Sequence, residues 1–81
     1  MKARVYVSLK STVLDPQGQT IQAALKTLGY QFIADVRQGK FFDIELAEGM
    51  RPEQARKDID TIAHEVLTNP VIEEYRIDFL E

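Results

Sequence analysis

Apolar and polar residues alternate at the start of the chain. In residues 3–10, Val5, Val7 and Leu9 occupy every second position, with more polar side chains between them. A period of two is typical of a strand that buries one face against a core. This pattern predicts a first β-strand over residues 3–10.

Two later segments repeat their apolar residues every three or four positions, the spacing of a helix with one buried face. The first begins at Asp15 and Pro16, an N-cap followed by a proline, and ends at Gly29. The second begins at Pro52 and ends before Pro70. The two apolar stripes are Ile21, Ala24, Leu25 and Leu28, and then Ala55, Ile59, Ile62, Ala63, Val66 and Leu67.

The residues between these two helices favour a β-hairpin. Residues 32–37 and 41–46 are β-prone runs on either side of Gln38, Gly39 and Lys40. If alternate residues of both runs share a buried face, the connecting loop has an odd number of residues. A three-residue loop fits, with Gly39 in the left-handed conformation. A two-residue turn would instead bring Asp35 into the core, which is less favourable.

A last alternating run over residues 71–79 predicts one more strand, so the elements follow the order β-α-β-β-α-β. This is the order of the ferredoxin-like fold, an α+β architecture with a four-stranded antiparallel or mixed sheet. The handedness of crossover connections places both helices on one sheet face, with the first and third strands at the centre. The other face stays open and carries Arg4, Tyr6, Ser8, Arg37, Phe41, Asp43, Glu45, Arg76 and Asp78.

Composition and charge narrow the class of protein. The chain has 81 residues, 44% hydrophobic and 28% charged, so we expect one small domain spanning residues 1–81. Its net charge of −3 argues against binding to nucleic acid or to an anionic membrane. The sequence contains no cysteine, which excludes disulfides and thiolate metal sites. Neither a signal peptide nor a membrane span is recognisable, so we expect a cytoplasmic protein.

No group of residues completes a catalytic or metal-binding motif. His64 is the only histidine and has no second ligand at a metal-binding spacing, so we expect it to pack or to face solvent. Ser8 and Ser11 have no histidine at a suggestive spacing, and Gly18 lacks the neighbouring glycines of a phosphate loop. We therefore predict no catalytic residue, no metal site and no cofactor on this chain.

Two aromatic residues, Tyr6 and Phe41, are predicted on the open sheet face. Exposed aromatic side chains on an uncovered sheet usually mark a protein interface. RNA-recognition domains stack bases at such positions, but the neighbouring Asp43 and Glu45 would repel phosphate. We therefore predict that Tyr6 and Phe41 serve self-association.

Three segments together resemble the PurS family, the small subunit of phosphoribosylformylglycinamidine synthase. The first covers residues 5–18 and contains the distinctive sequence V-L-D-P-Q-G. The second, residues 35–40, is similar to the family's DVRxGK hairpin, and the third, residues 69–75, to its NxVIExY motif. They occur in the family's order and span nearly the whole chain. The sequence stops at Glu81, so the contacts of any longer C-terminal tail found in relatives are not carried over to this chain.

The resemblance implies a non-catalytic subunit in de novo purine synthesis. In that family a glutaminase subunit releases ammonia, and a large ATP-dependent synthetase subunit adds it to formylglycinamide ribonucleotide to form the amidine. The small subunit joins the two, assists ammonia transfer and forms a homodimer or higher oligomer, while ATP and magnesium belong to the synthetase. Polar residues of the matched segments that we expect to be exposed are the candidates for partner binding: Lys10, Asp15, Gln17, Arg37 and Lys40.

Two other functions stay open when the residues are considered without the resemblance. Ferredoxin-like domains also serve as regulatory modules that bind an amino acid or a nucleotide between two protomers. RNA binding through Tyr6 and Phe41 would require salt-sensitive association with single strands. The resemblance favours the adaptor subunit over both.

Overall fold

The computed structural model describes residues 1–80. Along these residues the elements follow one another as β1 (Lys2–Leu9), α1 (Pro16–Thr27), β2 (Gly39–Glu45), α2 (Pro52–Ile62) with a π-helical turn at Ala63–Leu67, and β3 (Glu73–Leu80).

The three strands form one antiparallel sheet in the order β2-β1-β3. In the register of the central strand, Val5 lies opposite Phe42 on one side and Ile77 on the other. The first strand therefore pairs with the run predicted over residues 41–46, as the crossover rule indicated. The expectation that this run is a central strand is wrong, because β2 lies at an edge of the sheet. The last strand begins at Glu73, two residues later than predicted, because a turn built on Asn69 precedes it.

The core lies between the sheet and α2. Ala3, Val5 and Val7 of β1 are almost completely buried together with Ile59 and Ala63. The strand period predicts Val5 and Val7, and the helix stripe predicts Ile59 and Ala63, because each side chain leaves water only when the two apolar faces meet. Leu9 of the predicted strand face is only half-buried, and Val66 of the predicted stripe is 73% exposed. The prediction of the second helix, with Pro52 in its first turn, is confirmed.

The predicted fourth strand is wrong. Residues 33–38 have no regular secondary structure and make no backbone–backbone hydrogen bond within the described chain. They run along α1 instead, where the Gln22 side chain donates to the carbonyl of Ala34 at 2.9 Å. The α+β class is confirmed, but residues 1–80 contain a three-stranded sheet rather than the four strands of a ferredoxin-like fold.

The predicted hairpin loop at residues 38–40 is also wrong, because Gly39 and Lys40 already belong to β2. Gly39 does not adopt a left-handed conformation; the positive φ angles of the described residues are at Gly29 and Gly49. Its small size still has a reason, since a Cβ there would lie 2.9 Å from the carbonyl oxygen of Val7 on the neighbouring strand. The left-handed end of α1 at Gly29, with φ of 100°, is confirmed.

The first helix does not cover the sheet, which corrects the expectation that both helices share one face. Gly18 is the only buried residue of α1, and Leu28 is 73% exposed. We call residues 16–38, which comprise α1 and the extended segment returning from it, the arm. The arm lengthens the molecule to 52 Å, with a radius of gyration of 16.4 Å. A compact chain of this length has a radius of gyration of about 12 Å.

Candidate partner-binding site at the base of the arm

The two segments that resemble the PurS motifs most distinctively meet at the base of the arm. The loop of residues 10–15 leads from β1 into α1, and residues 36–38 lead back from the arm into β2. Side chains and backbone of the two segments hydrogen-bond to each other across this base.

Asp15 holds both segments with one carboxylate. Its Oδ1 accepts a hydrogen bond from the Gly18 amide at 2.9 Å, which caps α1 as the sequence predicts. Its Oδ2 accepts a second bond from the Gln38 amide at 2.7 Å, on the returning segment. These two bonds, the Gln38 bond foremost, lower the pKa of Asp15 in spite of the burial of this residue, which is 4% exposed. Asp15 is therefore ionised and fully engaged within the chain.

The Arg37 side chain connects the returning segment to the backbone of the outgoing loop. Its Nη2 donates to the carbonyl oxygen of Lys10 at 3.0 Å and to that of Val13 at 2.9 Å. The guanidinium also lies near Asp15 and helps to keep the pKa of that carboxyl low. Arg37 on the returning segment thus holds the outgoing backbone.

Gly18 lies close against the backbone of the returning segment. A Cβ at this position would lie 2.2 Å from the carbonyl oxygen of Val36 and 3.0 Å from Asp15 Oδ2. Only a residue without a side chain permits this contact.

A surface groove of about 470 Å³ opens beside the clasped segments. Its polar walls include Gln17 and Gln38 from the two arm ends and Lys40 from β2, whose side chain is 57% exposed. The Lys40 ammonium lies 4.0 Å from the carboxylate of Glu73 on β3, so both signs of charge border the groove. The groove offers hydrogen-bonding and charged contacts to a partner. It is lined by Val7, Ser8, Leu9, Asp15, Pro16, Gln17, Gln38, Gly39, Lys40 and Glu73.

The five residues predicted to bind partners differ in how accessible their side chains are. Asp15 is buried, so the expectation that it is exposed is wrong, and its carboxylate is occupied by backbone amides. Arg37 is exposed, but its Nη2 is bonded to the Lys10 and Val13 carbonyls. Lys10 is half-buried, and Gln17 and Lys40 are exposed and share the groove. Partner binding by these residues stays a prediction, with Gln17 and Lys40 the most accessible.

Three residues at this site were not among the candidates. From the sequence, Gly18 stands out only as a glycine without the neighbours of a phosphate loop, Gln38 only as a residue of the predicted hairpin loop, and Glu73 only as part of the third matched segment. A glycine in the first turn of a helix can indicate a close backbone approach, since it lowers helix stability and its only advantage there is the absence of a side chain. The roles of Gln38 and Glu73 depend on contacts between segments far apart in sequence, which local patterns do not reveal.

Tyr6 and Phe41, predicted to serve self-association, lie side by side on the open face with ring centroids 6.2 Å apart. The guanidinium carbon of Arg76 lies 4.4 Å above the Tyr6 ring, and that of Arg4 lies 4.7 Å above Phe41. Arg4 also donates to Asp43 at 2.7 Å, which lowers the pKa of that carboxyl. Phe41 is 55% exposed in spite of the Arg4 guanidinium above its ring. Its self-association stays a prediction.

The remaining polar groups of interest cluster near the π-helical turn. His64 is exposed and meets Tyr75 edge to face at 6.4 Å, which agrees with a packing or solvent-facing role. The Tyr75 hydroxyl donates to Asp60 at 2.9 Å, and this bond raises the pKa of the phenol.

In residues 1–80 no group of three or more His, Asp and Glu side chains is arranged to hold a metal ion. No helix of this part of the chain is long and apolar enough to cross a bilayer.

Comparison with known proteins identifies the family. Residues 2–81 match the family model PurS, described as phosphoribosylformylglycinamidine (FGAM) synthase. The PurS subunit of phosphoribosylformylglycinamidine synthase from Bacillus subtilis (strain 168) is 40% identical over 84 residues, covering 99% of this chain and 93% of that protein. The same subunit of Methanocaldococcus jannaschii is 40% identical over 76 residues, covering 94% of this chain and 90% of that protein.

Solved structures agree with these relatives. The structure of Bacillus subtilis PurS matches with a TM-score of 0.82 at 39% identity, covering 99% of this chain and 98% of that one. A chain of PurLQS from Thermotoga maritima matches with a TM-score of 0.86 at 33% identity, covering 98% of this chain and 95% of that one. Since sequence and fold agree over almost the full length, the chain belongs to the PurS family.

Proposed function

We propose that this chain is the small, non-catalytic subunit of FGAM synthase in purine biosynthesis, and that it bridges a glutaminase subunit and an ATP-dependent synthetase subunit. The observation that carries the proposal is the match over residues 2–81 to the PurS family, together with the likeness to a chain of the PurLQS structure. ATP and magnesium belong to the synthetase subunit in this proposal, and the chain itself supplies binding surfaces.

The bridging role has a chemical purpose, which is to assist ammonia transfer. Ammonia is a nucleophile only when neutral, and water near pH 7 would protonate most of it and carry it away. Holding two active sites together replaces diffusion through bulk water with a short, protected path. A subunit that contributes surface rather than chemistry can serve this purpose.

The groove at the base of the arm is our candidate contact for one larger subunit. Gln17 and Lys40 project from segments whose backbone is held by hydrogen bonds, so they are presented without much loss of conformational entropy on binding. The cation of Lys40 and the carboxylate of Glu73 lie side by side and would specify a partner surface of mixed charge.

The arm supports the homodimer or higher oligomer that belongs to this proposal. The chain exposes 6105 Å² of surface, whereas a compact chain of its mass exposes roughly 5,000 Å². The difference of about 1,000 Å² is comparable with the roughly 800 Å² that each partner buries in a typical interface. The arm carries much of the exposed apolar surface, including Ile21, Leu28, Tyr30 and Phe32.

The returning segment of the arm adds an unpaired backbone to this surface. Residues 33–37 are β-prone but make no backbone–backbone hydrogen bond within the described chain, and β2 is an edge strand. In our proposal a second copy covers α1 and this segment, which satisfies the exposed apolar and polar groups together.

Amidine synthesis tests the bridging role. The two larger subunits are assayed with and without this chain, using either glutamine or free ammonium as the nitrogen source. We expect the chain to raise the glutamine-dependent rate and to leave the ammonium-dependent rate nearly unchanged, because only the former needs coupled active sites. A glutamine-dependent rate that is the same with and without the chain would contradict the proposal and favour a ligand-binding regulatory domain.

Sedimentation equilibrium tests self-association. Leu28→Glu places a charge in the exposed apolar stripe of α1 and is expected to shift the chain towards monomer. Gln19→Glu, which adds the same charge at an exposed position of the same helix without removing apolar surface, is the matched control. Equal dissociation constants for the two variants would exclude the arm as the interface.

A further inference from the structure

The arm is joined to the sheet by a reciprocal set of hydrogen bonds. Asp15, at the start of the outgoing segment, accepts from the Gln38 amide on the returning segment at 2.7 Å. Arg37, on the returning segment, donates to the Lys10 and Val13 carbonyls on the outgoing segment, at 3.0 and 2.9 Å. Each segment thus contributes one charged side chain that binds the other segment's backbone.

An ordinary helix cap does not account for this arrangement. A cap needs one carboxylate oxygen, and Oδ1 of Asp15 already serves the Gly18 amide. The second oxygen, the burial of the carboxylate and the matching contacts of Arg37 are additional to capping. Charged groups bonded to backbone form the stronger class of hydrogen bonds, so three such bonds between the two segments make a stiff junction.

The rest of the arm has little to hold it in place. Gly18, inside the junction, is the only buried residue of α1, and the bond from Gln22 to Ala34 lies within the arm itself. The direction of the arm in a single chain therefore depends on its base.

We propose that Asp15 and Arg37 are positioning residues that fix the direction in which the arm leaves the sheet. This inference rests on the proposed function insofar as a fixed direction presents the arm to a second copy already oriented, which lowers the entropy cost of association. Neither residue needs to touch the partner to have this effect.

Spin labels measure the direction of the arm directly. The sequence contains no cysteine, so Lys26→Cys on α1 and Lys57→Cys on α2 provide a specific pair of exposed sites. The labelled full-length chain is diluted with unlabelled chain, so that distances within one molecule are recorded by double electron–electron resonance. We expect one narrow distance distribution in the otherwise unchanged chain.

Two substitutions test the junction from either side. Asp15→Asn keeps the shape but leaves a single acceptor oxygen and turns an NH₂ group towards the Gln38 or Gly18 amide. Arg37→Met keeps much of the length but removes the donors to the Lys10 and Val13 carbonyls. We expect each to broaden or shift the distance distribution, and Asp15→Asn to speed exchange of the Gln38 amide about tenfold or more.

Asp35→Asn is the matched control, since it neutralises an exposed carboxylate on the same returning segment. Its distance distribution should equal that of the unchanged chain. Protected amides in β1 show that a variant retains its sheet, and Arg37→Met is at an exposed position that leaves the core intact. A narrow, unshifted distribution in both Asp15→Asn and Arg37→Met overturns the proposal.

Different experiments test the positioning role of Asp15 and Arg37 and the proposed homodimer. A junction that sets the arm's direction in a chain that does not self-associate would refute the homodimer and leave the positioning role in place. If the chain self-associates but neither substitution changes the distance distribution of the arm, the positioning role is refuted and the homodimer stays in place.

Discussion

Gly18→Ala is the sharpest test of the contact between the two ends of the arm. The added Cβ would lie 2.2 Å from the carbonyl oxygen of Val36, well inside the 3.5 Å or so at which carbon contacts become favourable. Both atoms are fixed by backbone, so no change of rotamer can relieve the overlap. The two segments must separate by about 1 Å, which also strains the bonds that Asp15 makes to Gly18 and Gln38.

The expected free energy follows from two opposing effects. Forcing extra atoms into a packed contact typically costs about 1–3 kcal/mol. Replacing glycine by alanine in a helix returns about 0.5–1 kcal/mol, and less in the first turn, where Gly18 lies. We expect a net destabilisation of the closed arm by about 1–2 kcal/mol, or roughly a 5- to 30-fold rise in its opening equilibrium.

Native-state hydrogen exchange measures this change where it occurs. The amides of Gly18 and Gln38 should exchange faster in Gly18→Ala, while those of β1 change little because the arm does not pack on the sheet core. Gln19→Ala, at the next and exposed position of α1, is the control and should leave exchange at the base unaltered. Slower or unchanged exchange at Gln38 in Gly18→Ala would show that helix propensity outweighs the contact and would refute the reasoning.

Three further predictions concern the core, the acid response and the partner surface. Ile59→Ala should lower the free energy of unfolding by about 2–5 kcal/mol in urea titrations, whereas Val66→Ala at a 73% exposed position should change it by less than about 0.5 kcal/mol. Because the pKa of Asp15 is lower in the folded chain, the unfolded chain binds more protons as the pH falls. The stabilisation that ionised Asp15 gives to the folded chain is therefore complete above the unfolded pKa of about 3.9 and is lost as the pH falls through the folded pKa. The stability difference between the unchanged chain and Asp15→Asn should therefore shrink on acidification, and a constant difference would contradict this assignment. Lys40→Glu should weaken assembly with the larger subunits in a pull-down, whereas Lys57→Glu, on exposed α2 surface, should not.

Local patterns predicted the parts of this protein whose structure depends on neighbouring residues. The alternation around Val5 and Val7, the stripe through Ile59 and Ala63, and the cap at Asp15 each reflect a periodicity or a short-range hydrogen bond. Such features are read from a few consecutive residues, and the structure confirms all of them. The V-L-D-P-Q-G and DVRxGK motifs also located the two segments that meet at the base of the arm.

Which apolar and β-prone segments meet was decided by the tertiary structure alone. Residues 32–37 have the composition of a strand, and α1 has the stripe of a core helix, but neither packs on the sheet of its own chain. The choice depends on the close approach of Gly18 to Val36 and on the bonds of Asp15 and Arg37, which join residues more than 15 positions apart. The sequence alone therefore specifies the first strand, the core helix α2 and the Asp15 cap. The exposure of α1, the absence of a strand at residues 33–38 and the direction of the arm follow from long-range contacts that no local period encodes.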